Sequence, residues 1–233
     1  MMLIDDVTVL TRLLRGQPRD GSHAENLEAF YAPQANRYDH FRARLLHGRE
    51  ALLDLVDVWP GDRVVELGGG TGSNLDRLGK RLARLESYDL VDLCPSLLNV
   101  ARERSRHFPT ANIRVHEADA TTWRPAAPAD VVLFSYSLTM IPNWEAALDN
   151  ALAMLKRGGK LAVVDFHLAQ DLSPAIAGFW RRWFAHDGVH LSREHLPALQ
   201  SRLETVTCIE RKAPVPYLPG VRVPYYLFIG RKP

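Results

Sequence analysis

The glycine-rich stretch at residues 64–74, VVELGGGTGSN, constrains this chain more than any other part of its sequence. Two valines lead into Glu66, and glycines follow at positions 68, 69, 70 and 72. β-Branched residues before a run of glycines predict a buried strand that ends in a tight turn and opens a helix. Glycine permits the positive φ of such a turn, and the amino terminus of a helix presents N–H groups that favour an anion. The stretch therefore predicts a strand–turn–helix unit with a ligand site at the turn.

The spacing of these glycines differs from the dinucleotide fingerprint G-x-G-x-x-G. If the fingerprint starts at Gly68, Ser73 occupies its third glycine position, and if it starts at Gly70, Leu75 does. The pattern present is E-x-G-x-G-x-G, on Glu66, Gly68, Gly70 and Gly72. This pattern resembles motif I of the Rossmann-like methyltransferases that use S-adenosylmethionine, which implies that these four residues bind that cofactor. A nucleotide-dependent oxidoreductase and a glycine loop without a ligand are the weaker alternatives.

Length, charge and cysteine content limit the class of protein. A chain of 233 residues suits one α/β domain, and a net charge of +2 gives no electrostatic indication of nucleic-acid binding. Cys94 and Cys208 have neither metal-ligand spacing nor a disulfide framework, as is typical of a reducing cytosol. We expect no signal peptide, and the sequence contains no apolar run of the ~18 residues that a transmembrane helix needs. We expect a cytoplasmic protein, either soluble or attached peripherally to the inner face of the membrane.

Apolar runs alternate with helical patterns after residue 50. Strands are predicted at residues 64–67, 88–93, 113–117, 130–136, 160–165, 205–211 and 225–231, and helices at 51–58, 74–85, 95–107, 144–155, 176–184 and 195–203. The alternation predicts an α/β fold with a Rossmann-like, seven-stranded, mostly parallel sheet and helices on both faces. We expect residues 1–50 to form an N-terminal helical lid and residues 51–233 the methyltransferase domain. A helical insertion at about residues 170–203 then lies between strands five and six.

Acidic residues at predicted strand ends are candidates for cofactor binding. Asp92 follows Gly72 by 20 residues, and a carboxylate there can accept hydrogen bonds from both ribose hydroxyls. The segment VDLCPSLL resembles the V-D-x-S-P-x-x-L of many methyltransferases, which adds Leu93 to the cofactor site and places Cys94 where serine is common. Asp89 is the alternative acid, but strand alternation places it away from the ligand end.

The resemblance to the methyltransferases adds residues at the ends of strands three and four. Asp119 and Ala120 correspond to the position that receives the adenine amino group, although an aspartate there can also be a turn residue. Ser135 corresponds to the border of the cofactor site. Strand four ends in S-Y-S-L instead of the N/D-P-P-Y/F of the enzymes that act on DNA or glutamine amides, which argues against nucleic-acid, base or amide substrates. The segment L-K-R-G-G-K-L resembles L-K-P-G-G-x-L of quinone and small-molecule methyltransferases.

The region before the glycine stretch, residues 24–50, is rich in aromatic residues and arginine. Tyr31 and Tyr38 are seven residues apart and would share one face of a helix, although Pro33 lies between them. Both rings can face the active site or simply fill the core. Arg42 and Arg44 can reach the methionine carboxylate of the cofactor, or they can lie on a solvated face.

The predicted insertion contains an aromatic stripe. Ile176, Phe179, Trp180, Trp183 and Phe184 follow the i, i+3, i+4, i+7, i+8 spacing of one helix face. The stripe packs on the sheet, or it forms an aromatic wall that admits a lipid with arginines toward the headgroups. The two interpretations are compatible.

A narrower resemblance covers nearly the whole chain. The phrases LTRLLRGQPRDGSHAENLEAFYAPQANRYDHFRARLLHGRE and FWRRWFAHDGVHLSREHLPAL are similar to the bacterial betaine-lipid N-methyltransferases. The resemblance implies three methyl transfers to the amine of diacylglyceryl-homoserine, a lipid substrate with an amino-acid headgroup, and transient contact with a membrane surface. Phosphatidylethanolamine or quinone-precursor methylation is the alternative, and a non-catalytic binding protein is a third.

Four residues are candidates for the chemistry on the amine. Tyr31, Tyr38 and Tyr136 are expected near the amine, where aromatic faces and hydroxyl groups stabilise a developing cation. His167, at the end of strand five, is a candidate base near neutral pH or else a hydrogen-bonded loop residue.

Overall fold

The computed structural model describes residues 21–34, 45–185, 188–215 and 220–233, and the statements that follow concern this described chain. Its strands are β1 (Arg63–Leu67), β2 (Ser87–Asp92), β3 (Ile113–Glu117), β4 (Ala129–Ser135), β5 (Leu155–Phe166), β6 (Glu204–Pro214) and β7 (Arg222–Arg231). Its α-helices are α1 (His23–Tyr31), α2 (Arg49–Val56), α3 (Ser73–Leu78), α4 (Pro95–Ser105), α5 (Trp144–Met154), α6 (Pro174–Ala185) and α7 (His195–Arg202).

The seven strands form one sheet in the order β3-β2-β1-β4-β5-β7-β6. Strands β1 to β5 pair in parallel, whereas β7 pairs antiparallel with both β5 and β6. The predicted fold class, a seven-stranded and mostly parallel Rossmann-like sheet with helices on both faces, is confirmed. The order reverses between β1 and β4, which opens a crevice at the carboxyl ends of these strands.

Helices cover both faces of the sheet because successive strand residues point to opposite sides. Val64 belongs to the core cluster that contains apolar residues of α2, α3, α4 and α6. Val65, the next residue, belongs to the cluster that contains apolar residues of α5 and α7. The central strands therefore read as nearly continuous apolar runs, as expected for strands that are buried on both faces.

The structure corrects the helix predicted at residues 74–85. The α-helix ends at Leu78, and a 3₁₀ segment covers Gly79–Arg84. Gly79 has a φ of +52°, which lies outside the α-helical region and ends the regular helix. Apolar spacing continues beyond Leu78, and for this reason the sequence pattern overestimated the length of the helix.

The insertion contains two helices, α6 and α7, near the predicted positions. The aromatic stripe of α6 is divided: Trp180 and Phe184 are buried, whereas Ile176, Phe179 and Trp183 are exposed. Within the described residues, no helix combines the length and the apolar character required to cross a membrane.

The division into a lid at residues 1–50 and a domain at residues 51–233 stays a prediction. Of the predicted lid, the structure describes residues 21–34 and 45–50, and Tyr38, Arg42 and Arg44 lie outside the described residues.

Candidate active site

A cavity of about 350 Å³ lies at the carboxyl ends of β1, β2 and β4, and α1 contributes part of its wall. The sequence-predicted residues that line it are Tyr31, Glu66, Gly68, Gly70, Asp92, Leu93, Asp119, Ala120, Ser135 and Tyr136. Parallel strands bring these residues to one edge of the sheet although they are far apart in the sequence.

Glu66 stabilises the glycine loop through buried hydrogen bonds. Its carboxylate is buried and accepts hydrogen bonds from Asn74 Nδ2 and Tyr88 Oη, both at 2.6 Å. Burial raises the pKa of Glu66, and the two hydrogen bonds oppose that shift. Because Asn74 lies on α3 and Tyr88 on β2, Glu66 ties the start of the helix and the neighbouring strand to β1.

The glycines of the loop differ in what surrounds them. Gly68 has a φ of +70°, and an added Cβ would lie 2.4 Å from the Cβ of Ser137, so a side chain is excluded. Gly70 has a φ of +56°, and an added Cβ would meet only Leu97 Cδ1, at 3.7 Å. Gly72 is not a lining residue, and an added Cβ would pack against Leu90, Leu75 and Ala101. Gly72 therefore lets the loop pack closely on α4, and its predicted ligand role stays a prediction.

Asp92 lies at the cavity with its carboxylate held by the backbone. Its Oδ2 accepts from Gly70 N–H at 2.8 Å, and its Oδ1 accepts from Cys94 N–H at 2.9 Å. Burial raises the pKa of Asp92, whereas these amides oppose the rise. The alternative acid, Asp89, pairs with Arg114 at 2.6 Å and His116 at 2.7 Å and does not line the cavity.

Two further wall positions have polar groups suited to a ligand. Asp119 Oδ1 accepts from Thr121 N–H at 2.7 Å, so this residue is a turn aspartate that also lines the cavity. Ser135 Oγ is buried at the wall without a hydrogen-bond partner in the part of the chain that the structure describes. An unpartnered buried hydroxyl, an open glycine backbone and two strand-end carboxylates fit a polar cofactor with hydroxyl and amino donors, such as S-adenosylmethionine.

Tyr136 lines the cavity with its ring and not with a free hydroxyl. Its Oη donates to the carbonyl of His47 at 2.7 Å, and burial raises its pKa well above the ordinary value. The ring packs edge to face on Phe166 at 4.8 Å between centroids, and the Arg49 guanidinium carbon lies 5.6 Å from its centre. Tyr136 therefore stays protonated and offers an aromatic face.

Tyr31 is buried on α1, lines the cavity and packs edge to face on Phe30 at 4.9 Å. It is both a core residue and a wall residue, so the two interpretations of this side chain coincide. Its predicted partner on the helix face, Tyr38, and the predicted carboxylate ligand Arg44 lie outside the described residues.

His167 is placed away from the cavity, which corrects its prediction as a catalytic base. Its Nε2 lies 2.7 Å from Glu210 Oε2, and its ring packs against Tyr226. Phe166 packs on Tyr136 on one side of the sheet, and strand alternation turns the next side chain to the other side. Burial lowers the pKa of His167, while Glu210 opposes that shift.

Arg49 is a candidate site residue that the sequence patterns did not single out. It lies in the first turn of α2, lines the cavity and donates from Nη1 to Ser73 Oγ at 2.9 Å. A positive charge in the first turn of a helix interacts unfavourably with the helix dipole. The position of Arg49 in the sequence therefore indicates that this side chain has a role other than stabilising its helix.

Asp165 does not line the cavity but holds part of the cavity wall in place. Its carboxylate is fully buried and accepts from Thr139 N–H at 3.0 Å and from Thr139 Oγ1 at 2.6 Å. Burial raises the pKa of Asp165 to about 6, and the hydrogen bonds from Thr139 limit the rise. These bonds fix the 3₁₀ segment Leu138–Met140, which leads from Tyr136 into the cavity wall.

Comparison with known proteins gives a family match over most of the chain. The family described as "Methyltransferase domain" matches residues 31–206. The ubiquinone/menaquinone biosynthesis C-methyltransferase UbiE of Ectopseudomonas mendocina is 30% identical over 154 residues, which are 63% of this chain and 60% of that protein. The chain thus spans about three-fifths of the length of this curated relative.

Solved structures share the fold at low sequence identity. The [4+2]-cyclase SpnF has a TM-score of 0.71 at 16% identity and covers 94% of this chain and 98% of its own. Phosphoethanolamine N-methyltransferase 2 of Haemonchus contortus, in complex with phosphomonomethylethanolamine and S-adenosylhomocysteine, has a TM-score of 0.70 at 14% identity. That match covers 93% of this chain and 61% of the Haemonchus protein.

Proposed function

This chain belongs to the methyltransferase domain family, and we propose that it transfers methyl groups from S-adenosylmethionine to the amine of diacylglyceryl-homoserine. Three transfers would give the betaine lipid diacylglyceryl-trimethylhomoserine. The observation that carries the methyl-transfer part is the convergence of Asp92, Asp119 and Ser135 around the open side of Gly70 in one cavity.

The cofactor role of each residue follows from its position. When bound, S-adenosylmethionine would supply a sulfonium-linked methyl group that a neutral amine can attack, and S-adenosylhomocysteine would be the leaving group. Asp92, at the end of β2, is assigned to the ribose hydroxyls, and Asp119 to the adenine amino group. Arg49 is assigned to the methionine carboxylate because it lines the cavity beside the loop, and the role of Arg44, outside the described residues, stays a prediction.

The amine becomes positively charged as the new N–C bond forms. Tyr31 and Tyr136 present aromatic rings to the cavity, and an aromatic face attracts a cation within about 6 Å of its centre. The hydroxyl of Tyr136 donates its hydrogen bond to the carbonyl of His47. Tyr136 is therefore expected to position the amine and stabilise its positive charge, and not to remove its proton. Most of the acceleration is then expected from positioning and from exclusion of water.

The lipid acceptor is supported by the resemblance of residues 10–50 and 179–199 to the betaine-lipid enzymes. A quinone precursor is the second candidate, favoured by the relative named as a quinone-biosynthesis C-methyltransferase and by the segment L-K-R-G-G-K-L. Phosphatidylethanolamine is a further amine acceptor for the same chemistry. Because SpnF is named a [4+2]-cyclase, the fold alone does not determine the reaction.

Lipid mass spectrometry tests the proposal. The purified protein is incubated with S-adenosylmethionine and diacylglyceryl-homoserine in micelles, and the expected products have gained one, two and three methyl groups. Asp92→Asn should abolish these products by weakening cofactor binding. Asp54→Asn, which changes an exposed carboxylate on α2, should leave them unchanged and serves as the matched control.

No mass gain, with cofactor binding shown by calorimetry, would reject the diacylglyceryl-homoserine acceptor. Methylation of phosphatidylethanolamine or a demethylated quinone in the same assay would then identify the acceptor class.

A further inference from the structure

Helix α6 exposes a row of large apolar side chains. About half of each side chain is accessible to solvent: 48% for Ile176, 53% for Phe179 and 47% for Trp183. Within the described residues, three of the six exposed large hydrophobic residues lie on this one helix. Single exposed apolar residues are ordinary, whereas a contiguous group indicates an interaction surface. We call Ile176, Phe179 and Trp183 the α6 patch.

The α6 patch is not the side of the helix that packs on the protein. Ala177, Trp180 and Phe184 form the buried stripe, and they are offset from the patch around the helix axis. With about 100° per residue, the two stripes lie side by side. The helix is therefore anchored by one row of aromatic residues and presents a second row outward.

The charges of α6 suit an anionic surface. The helix contains Arg181 and Arg182, both exposed, and no acidic residue. Arg182 lies about 60° around the helix from Phe179, at the border of the patch, whereas Arg181 lies on the side opposite to it. An apolar aromatic row bordered by a cation is the arrangement that binds at the interface of a bilayer.

Packed aromatic rings connect the α6 patch with the cavity. Tyr136 at the cavity packs on Phe166 at 4.8 Å between centroids, and Phe166 packs on Phe184 at 4.4 Å. Phe184 packs on Trp180 at 5.8 Å, and Trp180 packs on the patch residue Phe179 at 5.2 Å. The outward face and the candidate acceptor site are thus joined by a continuous apolar layer.

We propose that the α6 patch, with Arg182 at its border, is the surface by which this protein docks on an anionic phospholipid bilayer. The patch enters the headgroup region and Arg182 pairs with a lipid phosphate. The inference deepens the proposed function and rests on it for its purpose, because a diacyl lipid acceptor resides in a bilayer and its amine must reach the cavity.

Vesicle co-sedimentation tests this docking surface. The full-length protein is mixed with vesicles of phosphatidylglycerol and phosphatidylcholine, or of phosphatidylcholine alone, and the bound fraction is measured. The double variant Phe179→Ser/Trp183→Ser should partition onto the anionic vesicles about tenfold more weakly, since it removes two interfacial aromatic residues. Arg182→Gln should weaken binding about fivefold, because one surface cation is lost.

Two matched controls lie on the same molecule. Arg181→Gln removes the same charge from the far side of α6 and should leave binding unchanged. Trp59→Ser removes a tryptophan that is 62% exposed in the turn between α2 and β1, away from the patch, and should also leave binding unchanged. Equal losses in Arg181→Gln and Arg182→Gln would show nonspecific electrostatic attraction and overturn the proposal.

The test separates this inference from the proposed function. Cofactor affinity and methylation of a micellar acceptor report the active site, whereas vesicle binding reports the α6 patch. Vesicle binding that depends on the patch, without any methyl transfer, would reject the acceptor and retain the docking surface.

If wild type and the double variant bind vesicles equally, docking through α6 is excluded. A wild-type dimer that the double variant converts to a monomer, with vesicle binding unaltered, would assign the patch to a second copy of the chain.

Discussion

At the scale of single residues, Tyr136 shows how the site is held in shape. Its φ of +58° is unusual for a bulky residue, and such a backbone costs of the order of 1 kcal/mol. Three interactions fix it: its N–H donates to Val164 O at 2.8 Å, its Oη to His47 O, and its ring packs on Phe166. The unusual backbone turns the chain from β4 into the cavity wall.

The open side of Gly70 leads to a prediction for cofactor affinity. Gly70→Ala should raise the dissociation constant of S-adenosylmethionine by about tenfold, because a methyl group would occupy space where the ligand meets the backbone. Gly61→Ala is the control, since Gly61 has a φ of +87° and nothing lies within 4 Å of an added Cβ. Calorimetry measures the affinity of both variants for S-adenosylmethionine. Equal losses of affinity would show that backbone strain, and not contact with the ligand, is responsible.

Sequence reasoning located the residues whose position follows from strand order. Asp92 could be predicted because its distance from the glycine loop matches one helical crossover, and the structure places it at the cavity. His167 could not, because a shift of one residue at a strand end changes the side of the sheet that a side chain faces. Arg49 was missed because its partners, Ser73 and Tyr136, are distant in the sequence and meet it only through folding.

At the scale of elements, α1 is attached to the rest of the fold by Glu28. Its Oε2 accepts from Cys94 Sγ and Ser96 N–H, both at 3.1 Å, and its Oε1 accepts from Ser96 Oγ. Leu27 and Tyr31 of the same helix line the cavity. One carboxylate therefore joins a wall of the cavity to the amino end of α4, and a negative charge is favourable at that end.

Glu28→Ala is expected to loosen α1. Hydrogen exchange in residues 23–31 should become at least about fivefold faster, because the helix loses a charged hydrogen-bond partner. Cofactor affinity should fall as the wall becomes less ordered. Glu103→Ala, which removes an exposed acid of α4 paired with Arg106, should change neither measurement. Unchanged exchange in the Glu28 variant would mean that apolar contacts alone hold α1.

The elements themselves were largely predictable from apolar periodicity, because most strands are buried on both faces. The exceptions have local causes. Apolar periodicity contains no information on the positive φ of Gly79, and it therefore predicts a helix that is longer than α3. It also predicted a single aromatic stripe on α6, since spacing shows which residues share a face but not which neighbour covers that face.

At the scale of the whole molecule, buried titratable groups set the dependence of stability on pH. Burial, with His167 and His190 nearby, lowers the pKa of His195 from 6.5 to about 4, and neither ring nitrogen has a partner in the described chain. As the pH falls from 6.5 toward 4, the unfolded chain binds a proton at His195 that the folded protein does not. Folding stability should therefore decrease by up to about 3 kcal/mol over this range through His195.

Asp165 acts in the opposite direction. Burial raises its pKa from 3.8 to about 6, so the folded protein binds this proton first as the pH falls. A variant of His195 is therefore needed to separate its effect on the pH dependence of stability from that of Asp165. His195→Leu should gain stability relative to wild type at about pH 5 compared with about pH 8 in urea unfolding. Replacement of the exposed His107 by Leu should show no such gain, and identical behaviour of the two variants would refute the assignment to His195.

The place of β7 in the sheet has a consequence for biosynthesis. β7 follows β6 in the sequence, yet it lies between β5 and β6 and pairs with both. During synthesis β6 leaves the ribosome before the strand that connects it to the sheet exists. The nascent protein can pair β1 to β5 early, but it must hold β6 unpaired until residues 222–231 emerge. Ribosome-bound chains that end before β7 therefore expose the edges of β5 and β6 that β7 pairs with in the complete sheet.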